Sequence, residues 1–174
     1  MTWFLIVVLI AFLAISVYGA RRASRVFSAT PLLRFCGAML FVASVFVALT
    51  AVGGGITLAI GFDKFPADWL VGTRFSSYLI PGLILAIVVG GSAAVAAVAT
   101  LRSSGAGALT SMLEGAILLG WLIGERLILP KAAFVPQFWW LEAVYIVAGL
   151  MMVLPALAVR RAARTVSERS PHSR

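Results

Sequence analysis

Five stretches of this chain are apolar for long enough to cross a bilayer, and short polar or basic breaks separate them. A helix that spans the hydrocarbon needs about 20 largely apolar residues. The windows 3–20, 35–52, 78–101, 106–129 and 138–159 meet that requirement. The pattern predicts an all-α integral membrane bundle of five transmembrane helices. It forms a single domain over residues 1–164, followed by a short polar tail over 165–174 that has nothing to pack and reads as disordered. The first window lacks a basic leader and is followed by Arg21 and Arg22, so it reads as an uncleaved anchor rather than a signal peptide.

The breaks carry their own signals. Gly53, Gly54 and Gly55 are poor helix formers and are expected to end the second span, which leaves 53–77 as the one sizeable loop. Within it Ile56, Leu58 and Ile60 alternate with smaller residues in a strand-like way, and Pro66 suits the first turn of a short interfacial helix carrying Trp69. The loop reads as a cap on the outer membrane surface, or alternatively as a re-entrant segment lining a cavity.

Composition narrows the chemistry. With 62% hydrophobic and 11% charged residues in a chain of 174, no aqueous fold could hide the apolar surface. One cysteine, Cys36, and one histidine, His172, exclude an internal disulfide and a Cys/His metal cluster within one chain. No metal or cofactor is expected, and no catalytic residue is assigned.

The net charge of +8 is explained by topology. Cytoplasmic loops retain Lys and Arg because positive segments resist translocation. Arg21, Arg22, Arg25, Arg34, Arg102, Arg160, Arg161, Arg164, Arg169 and Arg174 fall on one side of a five-span arrangement; Lys64, Arg74, Arg126 and Lys131 fall on the other, beside Asp63, Asp68 and Glu125. The amino terminus is therefore expected outside and the carboxyl terminus in the cytoplasm. Trp3, Trp69, Trp139 and Trp140 then cluster at the outer headgroup level, where the amphipathic indole is favoured, and Trp121 lies in the outer third of the fourth span. The basic side implies anionic lipid headgroups as partners, and no nucleic acid. A bias for Arg over Lys with abundant Ala, Val and Gly is associated with bacterial genomes, which points to a bacterial plasma membrane.

Ionisable side chains near the bilayer centre cost roughly 3 kcal/mol on insertion scales, so those present mark candidate sites. Glu114 is the deepest, ~13 Å from the inner end of its span at the α-helical rise. By the same depth count Ser44 and Ser92 lie at its level, so these three form the candidate intramembrane site. Thr110, Ser111, Glu114 and Glu125 share one helix face and are expected to point inward together. Arg126 and Glu142 lie at matching depth on neighbouring spans, with Glu125 beside them, as a candidate outer ion pair. Small residues mark close helix contacts in lipid. Gly120 and Gly124 in GxxxG spacing, facing Gly90 and Ala94 across the short 102–105 loop, predict a tightly packed hairpin of the third and fourth spans.

The stretch FSSYLIPGLILAIVVGG, with WLIGE at Trp121 to Glu125 and LEAVYIVAG at Leu141 to Gly149, resembles an uncharacterised family of small bacterial polytopic membrane proteins. The likeness spans roughly 53–150. Such relatives often carry an acidic residue where Ser77 stands and a glutamine where Glu142 stands. The resemblance implies a shared membrane fold and no particular activity.

The expected function is that of a non-catalytic scaffold or accessory subunit, bound to another membrane protein or to copies of itself. One alternative is a transporter or channel component for a proton, cation or small solute with Glu114 as coupling group. Another is a membrane enzyme acting on lipid or quinone. The charge distribution makes a direct prediction: a reporter fused after Arg174 is active only if it is a cytoplasmic reporter. Periplasmic phosphatase activity there would reverse the topology.

Overall fold

The computed structural model describes residues 2–61, 70–128 and 139–168, with side chains over 9–61, 70–127 and 139–165. They form five helices: α1 (Thr2–Val26), α2 (Pro31–Ile60), α3 (Leu79–Thr100), α4 (Ser104–Ile128) and α5 (Trp139–Glu168). Four of them, α2 to α5, are long and apolar enough to cross a membrane. The proposed interfacial helix around Pro66 and Trp69 lies outside the described residues.

The helix ends differ from those expected. α2 starts at Pro31 because Thr30 caps it, its side-chain oxygen accepting from the Leu33 N–H at 3.2 Å, and proline is suited to the first turn. It then runs through Gly53, Gly54 and Gly55 to Ile60, so these glycines do not end the span and 56–60 is helix rather than strand. In an apolar surround the backbone has no water to turn to, and continuing the helix satisfies it. The stop comes at Gly61, whose φ of 66° is a left-handed cap that glycine adopts freely; its N–H donates back to the Leu58 carbonyl. α1 likewise continues past Gly19 and Ala20 to Val26, and α5 carries helix through Thr165 to Glu168, into the stretch read as a disordered tail.

α2 is the hub, touching every other helix. Its closest partner surface is α3. A methyl added to Gly55 would sit 2.5 Å from the Gly82 carbonyl oxygen and 2.6 Å from the Ala86 nitrogen; one added to Gly82 would sit 2.6 Å from the Gly55 carbonyl oxygen. Gly90 continues the contact against Val52 and Ala48. Gly82, Ala86 and Gly90 recur every four residues, a spacing that drifts around an ordinary α-helix. Between Ile84 and Gly90 the chain is π-helical, and the wider turn keeps that row facing α2. Pro81 sits in the first turn, where its missing N–H costs little.

The predicted glycine seam between α3 and α4 is not there. A methyl on Gly120 or Gly124 would meet nothing within 4 Å, and Ala94 is exposed. Gly90 is buried but packs on α2. α4 instead meets α3 through Gly107, which lies against Thr100, and meets α5 through Gly115, which lies against Gly149 and Val153. GxxxG spacing places two glycines on one face, and the neighbouring helices determine whether that face is covered. Past Leu118 the buried stripe of α4 fades, with Gly120, Ile123 and Leu127 all exposed.

Leucine at position 55 or 82 should therefore lower stability by about 2 kcal/mol or more, since backbone atoms cannot move aside as side chains can. Gly120→Leu and Gly124→Leu should stay within about 0.5 kcal/mol of the parent. Unfolding in mild detergent compares the four; equal losses would mean that α2 and α3 do not cross at those glycines.

Candidate functional site

Two of the three apolar clusters among the described residues share α2, α4 and α5 and follow one another along the bundle. One joins Val47 of α2, Val89 and Ala93 of α3, Leu118 of α4, and Ala148 and Met152 of α5. The other, nearer the arginine-rich end, joins Phe27, Cys36 and Leu40 to Ala108 of α4 and to Ala156 and Val159 of α5. Between them lies a polar layer. Ser44 stands between Leu40 and Val47 on α2, while Ser111 and Glu114 stand between Ala108 and Leu118 on α4.

These three side chains are among the most deeply buried in the molecule, at 0%, 0% and 1% exposure for Ser44, Ser111 and Glu114. Gly115 explains part of that burial: its lack of a side chain lets the α4 backbone close on Gly149 of α5, so the residue before it, Glu114, is drawn into the core. Neither serine hydroxyl has a hydrogen-bond partner, and neither does either oxygen of Glu114. A buried polar atom left unpaired costs about 1–3 kcal/mol, and an ionised carboxylate more. On α5 the interval from Met152 to Ala156 contains Pro155, which has no N–H to give the Met151 carbonyl. The layer thus holds two hydroxyls and a carboxyl, none of them hydrogen-bonded to another group of the protein.

Ser92 does not join it. That residue is half-buried, and its hydroxyl donates to the Val89 carbonyl of its own helix at 3.0 Å. Nor do Ser44 and Glu114 bond to each other, so the expected meeting of Ser44, Ser92 and Glu114 is not realised as a hydrogen-bonded set. The inward stripe on α4 is also only partial: Ser111 and Glu114 are buried, Thr110 bonds to the Ala106 carbonyl at 2.8 Å, and Glu125 faces outward beside Trp121. Ser16 of α1 was not anticipated; it is buried and its hydroxyl is unpartnered as well. The signal for it was its place three residues before Gly19 and seven before Ala23, the small residues that carry α1 onto its neighbours.

At the far end from the arginine cluster, Arg126 of α4 and Glu142 of α5 form a bidentate pair, Nε donating to Oε1 and Nη2 to Oε2. The two side chains are 53% and 24% exposed. A pair this open ties two helix ends together, and its contribution to stability is small, about 0–1 kcal/mol. Trp139 and Trp140 are exposed at the start of α5, on the same end. Among the described residues no group of three His, Cys, Asp or Glu side chains could hold a metal ion.

Because Glu114 makes no hydrogen bond to lose, Glu114→Leu should raise stability, by about 1 kcal/mol, whereas Glu114→Gln should not, since its amide is equally unpaired. Thermal melting in detergent distinguishes these outcomes. A Leu variant that melts below the parent would reveal a bond to Glu114 that the structure does not contain.

No protein-family model, curated protein or solved structure matches this chain.

Proposed function

We propose that the protein is a five-span membrane protein, amino terminus outside and carboxyl terminus in the cytoplasm, that forms part of a transporter or channel, with Glu114 as the group that takes up a proton or small cation. The observation that carries this reading is the complete burial of a carboxyl with no partner. Such a group is expensive in a membrane, and its presence marks a functional site by default. At 1% exposure it is beyond the reach of a side chain from another protein, so what satisfies it must be small. In the resting state that species is a proton, which makes the group a neutral acid. A helix movement that admits water or a cation to the layer would then let it exchange. The π-helical turn of α3 and the proline of α5 are places where such a movement costs little, because regular hydrogen bonding is already interrupted there. One chain of five helices has little room for a pore, so the reading calls for several copies or a partner.

A second reading, a non-catalytic scaffold or accessory subunit, is favoured by a different feature. An apolar groove of about 410 Å³ runs between α1 and α5 over α2, walled by Phe12, Phe46 and Met151 and floored by Ala43 and Ala148. Small floor residues let another helix approach closely, which is what drives association in lipid. In this reading the groove holds a helix of a partner subunit, and Glu114 is a tolerated defect.

A hydrophobic carbodiimide tests the first reading without knowledge of the substrate, because it reacts with neutral carboxylic acids in apolar surroundings. Glu114 should be modified in membranes, modification should fall as the medium is made alkaline, and vesicles holding the protein should show a proton or cation flux that Glu114→Gln abolishes. Absence of flux at any imposed gradient, together with a stoichiometric partner recovered with the native protein, would replace this reading with the second.

A further inference from the structure

Four side chains of α1 line one face near its end: Tyr18, Arg22, Arg25 and Val26, at the i, i+4, i+7 and i+8 spacing that brings residues together on a helix. That face overlooks Leu101, the residue at which α3 stops. Between them is a recess of about 320 Å³. Its frame is fixed. Gly19 receives the ring of Phe41, and Ala23, fully buried, packs in a cluster with Phe41 and Ala97 against which Leu101 also rests. Two guanidinium groups therefore stand over an apolar wall in a place the fold holds open.

Neither Arg22 nor Arg25 makes an ion pair or a side-chain hydrogen bond among the described residues. The side chains of Arg21, Arg74, Arg102, Arg161 and Arg164 are likewise unpartnered among the described residues, so it is the recess that sets Arg22 and Arg25 apart from them, and three arginines are engaged elsewhere. Arg126 is paired with Glu142, Arg34 donates to the Ser28 carbonyl and Arg160 to the Met112 sulfur. The described acidic side chains, Glu114, Glu125 and Glu142, lie in the core or at the opposite end. The recess thus presents two forked donors and a phenol hydroxyl, with no carboxylate among the described residues paired to them.

We infer that this recess is a seat for the phosphate of an anionic glycerophospholipid. Arginine matches phosphate in geometry as well as charge, two N–H groups of one guanidinium reaching two oxygens of the anion. A second guanidinium one turn away takes the remaining charge, and the Tyr18 hydroxyl reaches the glycerol or phosphate oxygens. The lipid source is chosen over a free anion by what surrounds the cations. The recess opens where the apolar spans end, the level of the headgroups, and basic pockets between helices at that level are a recurrent form of headgroup recognition. Below it the same face of α1 presents Ile15, half exposed, with Ala11 and Ala14, both exposed, as a surface for acyl chains. Diffuse attraction would draw such lipids to every arginine at this end; a seat holds one lipid at one place.

The test uses the full chain in nanodiscs of phosphatidylcholine containing a minor fraction of phosphatidylglycerol, followed by transfer to mild detergent and native mass spectrometry. One phosphatidylglycerol should remain per chain. Arg22→Gln with Arg25→Gln should reduce its retention about tenfold or more, while Arg161→Gln with Arg164→Gln, which removes the same charge from the exposed end of α5, should leave it within about twofold. Arg22→Lys with Arg25→Lys keeps the charge and loses the fork, and should fall between. All replaced side chains are exposed, so melting temperature serves as the check that each variant is folded. Equal loss from both glutamine pairs, or no loss from the first, would overturn the seat in favour of diffuse attraction. Displacement of the lipid by millimolar inorganic phosphate would overturn the lipid assignment and make it a site for a free anion.

Discussion

The crossing of α2 and α3 at Gly55 and Gly82 is the contact on which the remaining arrangement depends. In hydrocarbon there is no apolar driving force between helices, since lipid tails are as apolar as leucine, and close approach of backbones has to supply the attraction. Two glycines facing each other allow it, and Ala86 and Gly90 extend it toward the arginine-rich end. With α3 fixed on one side of α2, the other helices take the remaining sides, α1 through Gly19 over Phe41 and α5 over the polar layer. The π-helical turn in α3 is part of the same contact, because it holds a four-residue row of small side chains in line.

The packing that closes α4 on α5 also creates the feature of most chemical interest. Gly115 and Gly149 bring the two helices together, and Glu114 is carried inward beside them into a layer with Ser44 and Ser111. An unpaired polar group there costs about 1–3 kcal/mol, a noticeable part of the ~5–15 kcal/mol that a small domain has in total. Uptake and release of a small cationic species is the role proposed for Glu114. The lipid seat at the end of α1 is independent of it: one concerns a neutral acid in the core, the other two fixed positive charges at the boundary.

Much of the layout was legible in order and type. Unbroken apolar runs can only be helices in lipid, because each backbone group must bond within its own segment, so the helical class follows from hydropathy alone. The depth of Glu114 and of Ser44 follows from counting along a helix of fixed rise, and both are buried. Matching depth likewise set Arg126 against Glu142. Less legible were the ends. Three successive glycines at 53–55 read as a stop, yet the helix passes through them, because the helix-breaking tendency of glycine is measured in water and here water does not compete.

By itself, then, the sequence determined that this is an all-helical chain with at least four helices able to cross a membrane, where its charges concentrate, and how deep each polar group lies along its own helix. Rotation about the helix axes was decided only by the tertiary structure. Gly120 and Gly124 carry the expected spacing and face nothing, whereas Gly55, Gly82, Gly115 and Gly149 make the contacts. Ser92 lies at the right depth and turns back on its own helix, while Ser111, one turn from Glu114, joins the layer. Hydropathy in a span is nearly uniform around the helix, so it fixes position along the axis and says little about which face meets a neighbour. That choice belongs to the fit of small residues from different helices, which exists only once the helices are brought together.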